Sequence, residues 1–312
     1  MNALVDVILP VFLLVGFGWG AARAGLIPDL AVDGIMRFSQ TFALPCLLFS
    51  SIARLDLAAN FDLGLFLSYY IGAFTSFTLG FFGSRRLFGR STEDAVAIGF
   101  ACMFSNSLFL GLPITERAYG PEALASNFAI IALHSPMLYG FGITAMEMAR
   151  SHGMGLSTPR LVWKVVSAVF SQPLVIGVTL GLLVNLSGLH QPAPIEAAVA
   201  LMARAALPTA LFGLGGVLLR YHPDGDMKLI AMICGLSLVV HPAITWGLGV
   251  GVFGLDTSQL RSAVVTAAVA PGVNAYLFSH LYGAAKRVTA AAVLIATSVS
   301  ILTTWAWLHI LP

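Results

Sequence analysis

Long apolar runs parted by short polar connections make up almost the whole chain. A hydrocarbon core about 30 Å thick is crossed by about 20 apolar residues in a helix. By that rule ten spans are predicted: Leu4–Ala22, Ile35–Ile52, Leu63–Gly83, Ala95–Tyr119, Ala123–Met146, Val162–Leu186, Ala197–Leu219, Leu229–Phe253, Ala263–Tyr282 and Val288–Ile310. No connection between them is long enough for a soluble domain, so function has to live among the helices. An apolar run before Ala21-Ala22-Arg23-Ala24 has the outline of a signal peptide. It lacks a positive leading region, its early charge being Asp6, and reads as a retained first helix.

Two of the runs are interrupted. One reads Phe104-Ser105-Asn106-Ser107-Leu108-Phe109-Leu110-Gly111-Leu112-Pro113, the other Ala270-Pro271-Gly272-Val273-Asn274-Ala275-Tyr276. In lipid every backbone N–H and C=O must be satisfied within the protein, so a broken helix survives beside other helices or a polar cavity. A break in each half of the chain is the pattern of a carrier whose solute site lies at the membrane midplane.

Composition agrees: 312 residues, 58% hydrophobic and 10% charged, with a mean hydropathy of +0.90, exclude a soluble domain. Charge then orients the spans. With the N-terminus outside, eleven Lys and Arg fall in inner loops, and three, Arg54, Arg117 and Arg261, in outer ones. That bias predicts both termini outside, with Asn60 on the outer surface and Gly153 on the inner. The net charge of +2 is therefore a topology signal and gives no reason to expect a nucleic acid partner. Cys46, Cys102 and Cys234 lie singly in three spans, without disulfide or metal spacing, and no cofactor is expected.

The halves repeat at a fixed offset. Ala43-Leu44-Pro45-x-x-Leu48-Phe49 returns 163 residues later as Ala206-Leu207-Pro208-x-x-Leu211-Phe212; Tyr119-Gly120 returns as Tyr282-Gly283, and Pro10 as Pro173, at the same distance. Each half, 1–160 and 161–312, then holds five spans. An odd count inverts the second half relative to the first, and makes the two broken spans equivalent partners.

Chemistry at the breaks follows from what proline and a helix end do. Pro113 cannot donate to the Phe109 carbonyl, nor Pro271 to that of Ala267. Each break leaves a half-helix N-terminus with unpaired N–H groups and partial positive charge, which favours carboxylates. Asn106 and Asn274 add neutral donors, with Ser105 and Ser107 close by; together with Gly111, Pro113, Pro271 and Gly272 they form the predicted substrate site for a small organic anion. Spans four, five, six, nine and ten carry no Asp, Glu, Lys or Arg deep in their apolar runs, which argues against a sodium–proton antiporter. Glu116 and Glu147 are expected to be solvated near helix ends. His134, followed by Ser135-Pro136, is the candidate for proton coupling, against a structural hydrogen-bonding role. Arg204, one turn before Pro208, either balances a second substrate charge or snorkels to the outer surface.

The stretch from Asn106 to Pro113 with Tyr119-Gly120 resembles the Asn-Thr-Leu-Val-Met-Gly-Ile-Pro…Tyr-Gly stretch of plant PIN auxin carriers. Pro271-Gly272-Val273 through Phe278 is similar to their second crossover, and Leu44-Pro45 and Leu207-Pro208-x-x-Leu-Phe-Gly-Leu-Gly match further landmarks. The resemblance covers essentially the whole chain. It implies a bacterial member of the auxin efflux carrier family, in the inner membrane, without the long cytoplasmic loop of plant members. It further implies an all-α, ten-helix, inverted-repeat fold, with spans one, two, six and seven as scaffold and three to five with eight to ten as a transport domain. Elevator-like alternating access, a homodimer, and Asn106 as carboxylate ligand come with it. Bacterial members are commonly labelled malonate or dicarboxylate transporters. With no assured Arg or Lys at the breaks, a monocarboxylate or half-protonated diacid suits this chain better. Plant members place Pro before that Asn; Ser105 here predicts a gentler first break, with Gly111 and Pro113 carrying more of it. The competing readings are a channel, an anion sensor and an ion-coupled symporter of the bile-acid type. An intramembrane enzyme lacks its signature: there is no pair of membrane aspartates and no His-Glu-x-x-His.

Overall fold

In the computed structural model, residues 3–150, 158–189 and 191–312 are described, and among them the chain is helical with no strand. Gly153, expected on the inner surface, lies outside the described residues. The longer helices are α1 (3–23), α2 (Asp29–Ala53), α3 (Leu63–Phe88), α4 (Thr92–Met103), α5 (Leu112–Tyr119), α6 (Ala125–Arg150), α7 (Thr158–Phe170), α8 (Pro173–Ser187), α9 (Ala193–Leu219), α10 (Met227–Gly251), α11 (Thr257–Ala268), α12 (Val273–Tyr282) and α13 (Lys286–Ile310). Among the described residues seven helices are long and apolar enough to cross a membrane, and eight if α7 and α8 count as one bent span. The two interrupted runs are each divided into a pair of shorter helices, α4 with α5 and α11 with α12.

Proline shapes several of these helices in one way. Turns of π-helix at Ala3–Ile8, Ser39–Ala43, Ser107–Gly111 and Leu236–Val240 each end two residues before a proline: Pro10, Pro45, Pro113 and Pro242. A proline ring collides with the carbonyl four residues back and offers it no N–H, and a locally widened turn relieves both conflicts. At Pro242 that carbonyl, on Leu238, accepts instead from Trp307 Nε1 at 3.0 Å, so α13 satisfies the group that proline leaves bare.

Span six is not the continuous run that the apolar count predicts. Gln172 is extended before Pro173 (φ −78°, ψ 125°), as a residue preceding proline prefers, and α7 meets α8 at 81°. Glu147 also departs from expectation: it is buried rather than solvated, and Lys164 on α7 reaches it at 2.5 Å.

Close packing rests on small residues, which let backbones touch where lipid provides no hydrophobic drive. A methyl added at Gly18 would lie 1.8 Å from the Phe212 carbonyl oxygen, and one at Gly181 would lie 2.9 Å from that of Phe49. These contacts seat α1 against α9 and α8 against α2. On the other side α3 runs between α4 and α10, and the Phe100 and Phe278 rings stack at 4.1 Å to join α4 to α12. Asn127 on α6 donates to Thr266 Oγ1 at 2.8 Å and Thr115 Oγ1 at 3.3 Å, tying both interrupted runs to one helix.

Candidate functional site: the paired helix breaks

The two breaks meet. α4 ends with the Phe104 N–H on the Phe100 carbonyl at 3.0 Å. Ser105 then lies antiparallel to Pro271. The Asn106 N–H donates to the Ala270 carbonyl at 2.8 Å and the Gly272 N–H to the Phe104 carbonyl at 2.9 Å. Both bonds flank the Ser105–Pro271 pair, so the missing N–H of Pro271 falls where none is required. The Asn106 carbonyl accepts from Leu110 and Gly111 at 3.0 and 3.1 Å as the next turn begins. The gentler break expected from Ser105 is therefore not found. The helix stops completely at Phe104–Asn106, because the second break supplies partners for an extended backbone there; Gly111 and Pro113 lie beyond it, in continuous π- and α-helix.

A small cavity adjoins the breaks. Ser105, Asn106, Ser107, His134, Gly272 and Asn274 line it, along with Leu48 of α2 and Leu174, Val175 and Val178 of α8. Ser107–Phe109, Val273 and Asn274 carry the first N–H groups after each break, which have no intrahelical acceptor. The Asn106 side chain is buried, 7% exposed, and finds no hydrogen-bond partner among the described residues. The cavity's volume, about 30 Å³, has room for water rather than an organic anion in this conformation. Its lining includes no Asp, Glu, Lys or Arg among the described residues.

The predicted residues are thus only partly together. Gly111, Pro113 and Pro271 do not line this cavity; Pro271 pairs with Ser105, and Pro113 faces a second cavity. Gly111 and Gly272 have ordinary negative φ, and a methyl at either would meet nothing closer than 3.6 and 3.5 Å, so neither is required by backbone geometry.

Tyr69 escaped the sequence reading. Its hydroxyl lies 2.8 Å from Ser105 Oγ and 3.2 Å from His134 Nδ1, while its carbonyl receives His241 Nε2 at 3.3 Å. His134 Nε2 and His241 Nδ1 are buried without a partner among the described residues. A chain of polar groups thus runs from the first break through α3 to α6 and α10. A tyrosine in an apolar run carries no local sign of such a role; its one cue is that a buried hydroxyl needs a partner.

Comparison with known proteins completes the picture. A family model described as membrane transport protein matches residues 3–308. A Rhizobium meliloti (strain 1021) protein named "Putative malonate transporter" is 25% identical over 317 residues, covering 100% of this chain and 97% of its own. Auxin efflux carrier component 5 of Arabidopsis thaliana is 23% identical over 237 residues, 64% of this chain and 66% of its own. The "Uncharacterized transporter YfdV" of Escherichia coli (strain K12) is 21% identical over 306 residues, 97% and 96% of the two chains. The resemblance first carried by Asn106–Pro113 is borne out, and the chain belongs to the membrane transport protein family, that of the auxin efflux carriers.

Proposed function

We propose that this membrane transporter carries a small organic anion by alternating access, with its substrate site at the paired breaks and Asn106 as carboxylate ligand. The observation that carries the reading is Asn106, a buried residue lining a neutral cavity beside two half-helix starts, its side chain without a hydrogen-bond partner among the described residues. Half-helix N-termini and an amide suit one negative charge, so a monocarboxylate or half-protonated diacid is the favoured substrate. The cavity is too small for such a solute as it stands, and it has to open on one side at a time.

Ten spans in two inverted halves belong to the same proposal. The glycine contacts support it: Gly18 against Phe212 and Gly181 against Phe49 are one contact made twice, since 163 residues separate both Gly18 from Gly181 and Phe49 from Phe212. In this scheme α1, α2, α7, α8 and α9 form the scaffold and the remaining helices move as an elevator. Both termini lie outside, in a bacterial inner membrane, and a second copy pairs with the scaffold. An inverted repeat with a central site favours a carrier over a channel.

Uptake of labelled malonate into sealed proteoliposomes tests this, with a panel of unlabelled monocarboxylates as competitors. Saturable uptake, weakened in Asn106→Ala while that variant stays folded, is expected. Unchanged affinity in Asn106→Ala removes this residue from the site. Silence across the panel in folded protein replaces the carrier with an anion sensor.

A further inference from the structure

A larger cavity, about 480 Å³, opens among α1, α2, α5, α6 and α9. Its walls are mostly apolar, with Leu14, Leu47 and Phe128 among them, and its charged groups are Arg204, Arg117 and Glu116. Apolar walls with a few polar groups are the ordinary make-up of a small-molecule site.

The arginines differ. Arg117 is anchored, donating to the Asp6 carbonyl at 2.7 Å. Arg204 stands about 10 Å along α9 from Ala197, where the predicted span begins, at 1.5 Å rise per residue, and has no hydrogen bond or ion pair among the described residues. Ionisable side chains this far into a span ordinarily serve a partner or a solute path. Arg204 is exposed and lines this cavity. Two guanidinium groups against the single Glu116 carboxylate leave the cavity positive.

We propose that this cavity is a second binding site, for a small carboxylate with an apolar body. The carboxylate sits on the planar fork of Arg204, whose paired N–H groups match its two oxygens, and the body lies against Leu14, Leu47 and Phe128. The site's placement at the outer mouth rests on the orientation proposed above, in which α9 begins outside. Pro113 lines this cavity while Ser107, Leu108 and Phe109 line the smaller one. One segment, Ser107 to Pro113, therefore separates the two stations.

The test uses full-length protein in phosphatidylcholine vesicles, oriented outside-out, so that no anionic lipid competes. Cys46, Cys102 and Cys234 are replaced by alanine and a single cysteine is placed in the wall as Leu14→Cys, or Leu207→Cys if the first fails to fold. Labelling by an impermeant maleimide is then timed with and without millimolar benzoate. Benzoate is expected to slow labelling at least fivefold. Arg204→Gln should remove that protection, Arg204→Lys should keep part of it, and Asn106→Ala should keep it in full. A cysteine that does not label, the absence of protection, protection that survives Arg204→Gln, or protection lost in Asn106→Ala each overturns the second site. Arg204-dependent protection in a protein that transports no carboxylate overturns the carrier reading instead and leaves this site standing.

Discussion

The Tyr69 hydroxyl bonds the Ser105 hydroxyl at 2.8 Å, so an uninterrupted helix holds the extended residue of the first break in place. Tyr69→Phe keeps the ring packing and strands both the Ser105 hydroxyl and His134 Nδ1. A buried polar group without its partner costs about 1–3 kcal/mol. We expect a lower melting temperature and weaker substrate binding. Ser105→Ala combined with Tyr69→Phe should cost less than the sum of the two single changes. Strict additivity in thermal unfolding would show that the contact does not couple them.

His134 is the titratable side chain in the small cavity. Its Nδ1 is engaged by Tyr69 and its Nε2 is unpartnered. If protons are coupled to transport here, His134→Gln flattens the pH profile of uptake while leaving uptake at the optimum measurable. A profile that keeps its shape makes His134 a structural partner of Tyr69.

Glycines in this fold divide by what surrounds them. Gly18→Ala drives a methyl into the Phe212 carbonyl and should cost about 1–3 kcal/mol or more through forced separation of α1 and α9. Gly272→Ala, with ordinary contact distances, should fold like the parent. Melting temperatures of the two purified variants decide the matter; equal values would contradict the packing described here.

Orientation is checked by single cysteines. Asn60→Cys should react with an impermeant reagent added outside intact cells. Asp224→Cys, exposed between α9 and α10, should react only after the membrane is opened. The reverse pattern inverts the topology and moves the Arg204 cavity to the inner face.

What could be read in advance was whatever bears on a backbone. Pro, Gly and Asn inside apolar runs located both breaks, and the 163-residue spacing of Pro45 and Pro208 recurs in the packing of Gly18 on Phe212 and Gly181 on Phe49. Side-chain partnerships crossing between helices were hidden: Tyr69 with Ser105 and His134, and Asn127 with Thr115 and Thr266, join residues far apart in sequence. Position within a break was also hidden. Gly111 and Pro113 are the strongest local breakers, yet the chain parts at Phe104–Asn106, where Ala270–Gly272 offers backbone partners. Counting apolar residues from Val162 to Leu186 likewise missed a right-angle turn that Pro173 alone announces.

The neutral lining of the small cavity has an electrical consequence. On the carrier reading proposed above, an anion that crosses there without a proton on His134 travels with no compensating protein charge, so each turnover moves one unit of charge through the membrane potential. At 100 mV that is about 2.3 kcal/mol, roughly a fiftyfold concentration ratio at equilibrium. A potential negative inside therefore expels a monoanion and resists its accumulation. On that reading the voltage across the bilayer and the concentration gradient, more than any group fixed in the protein, set which way an unaccompanied substrate runs.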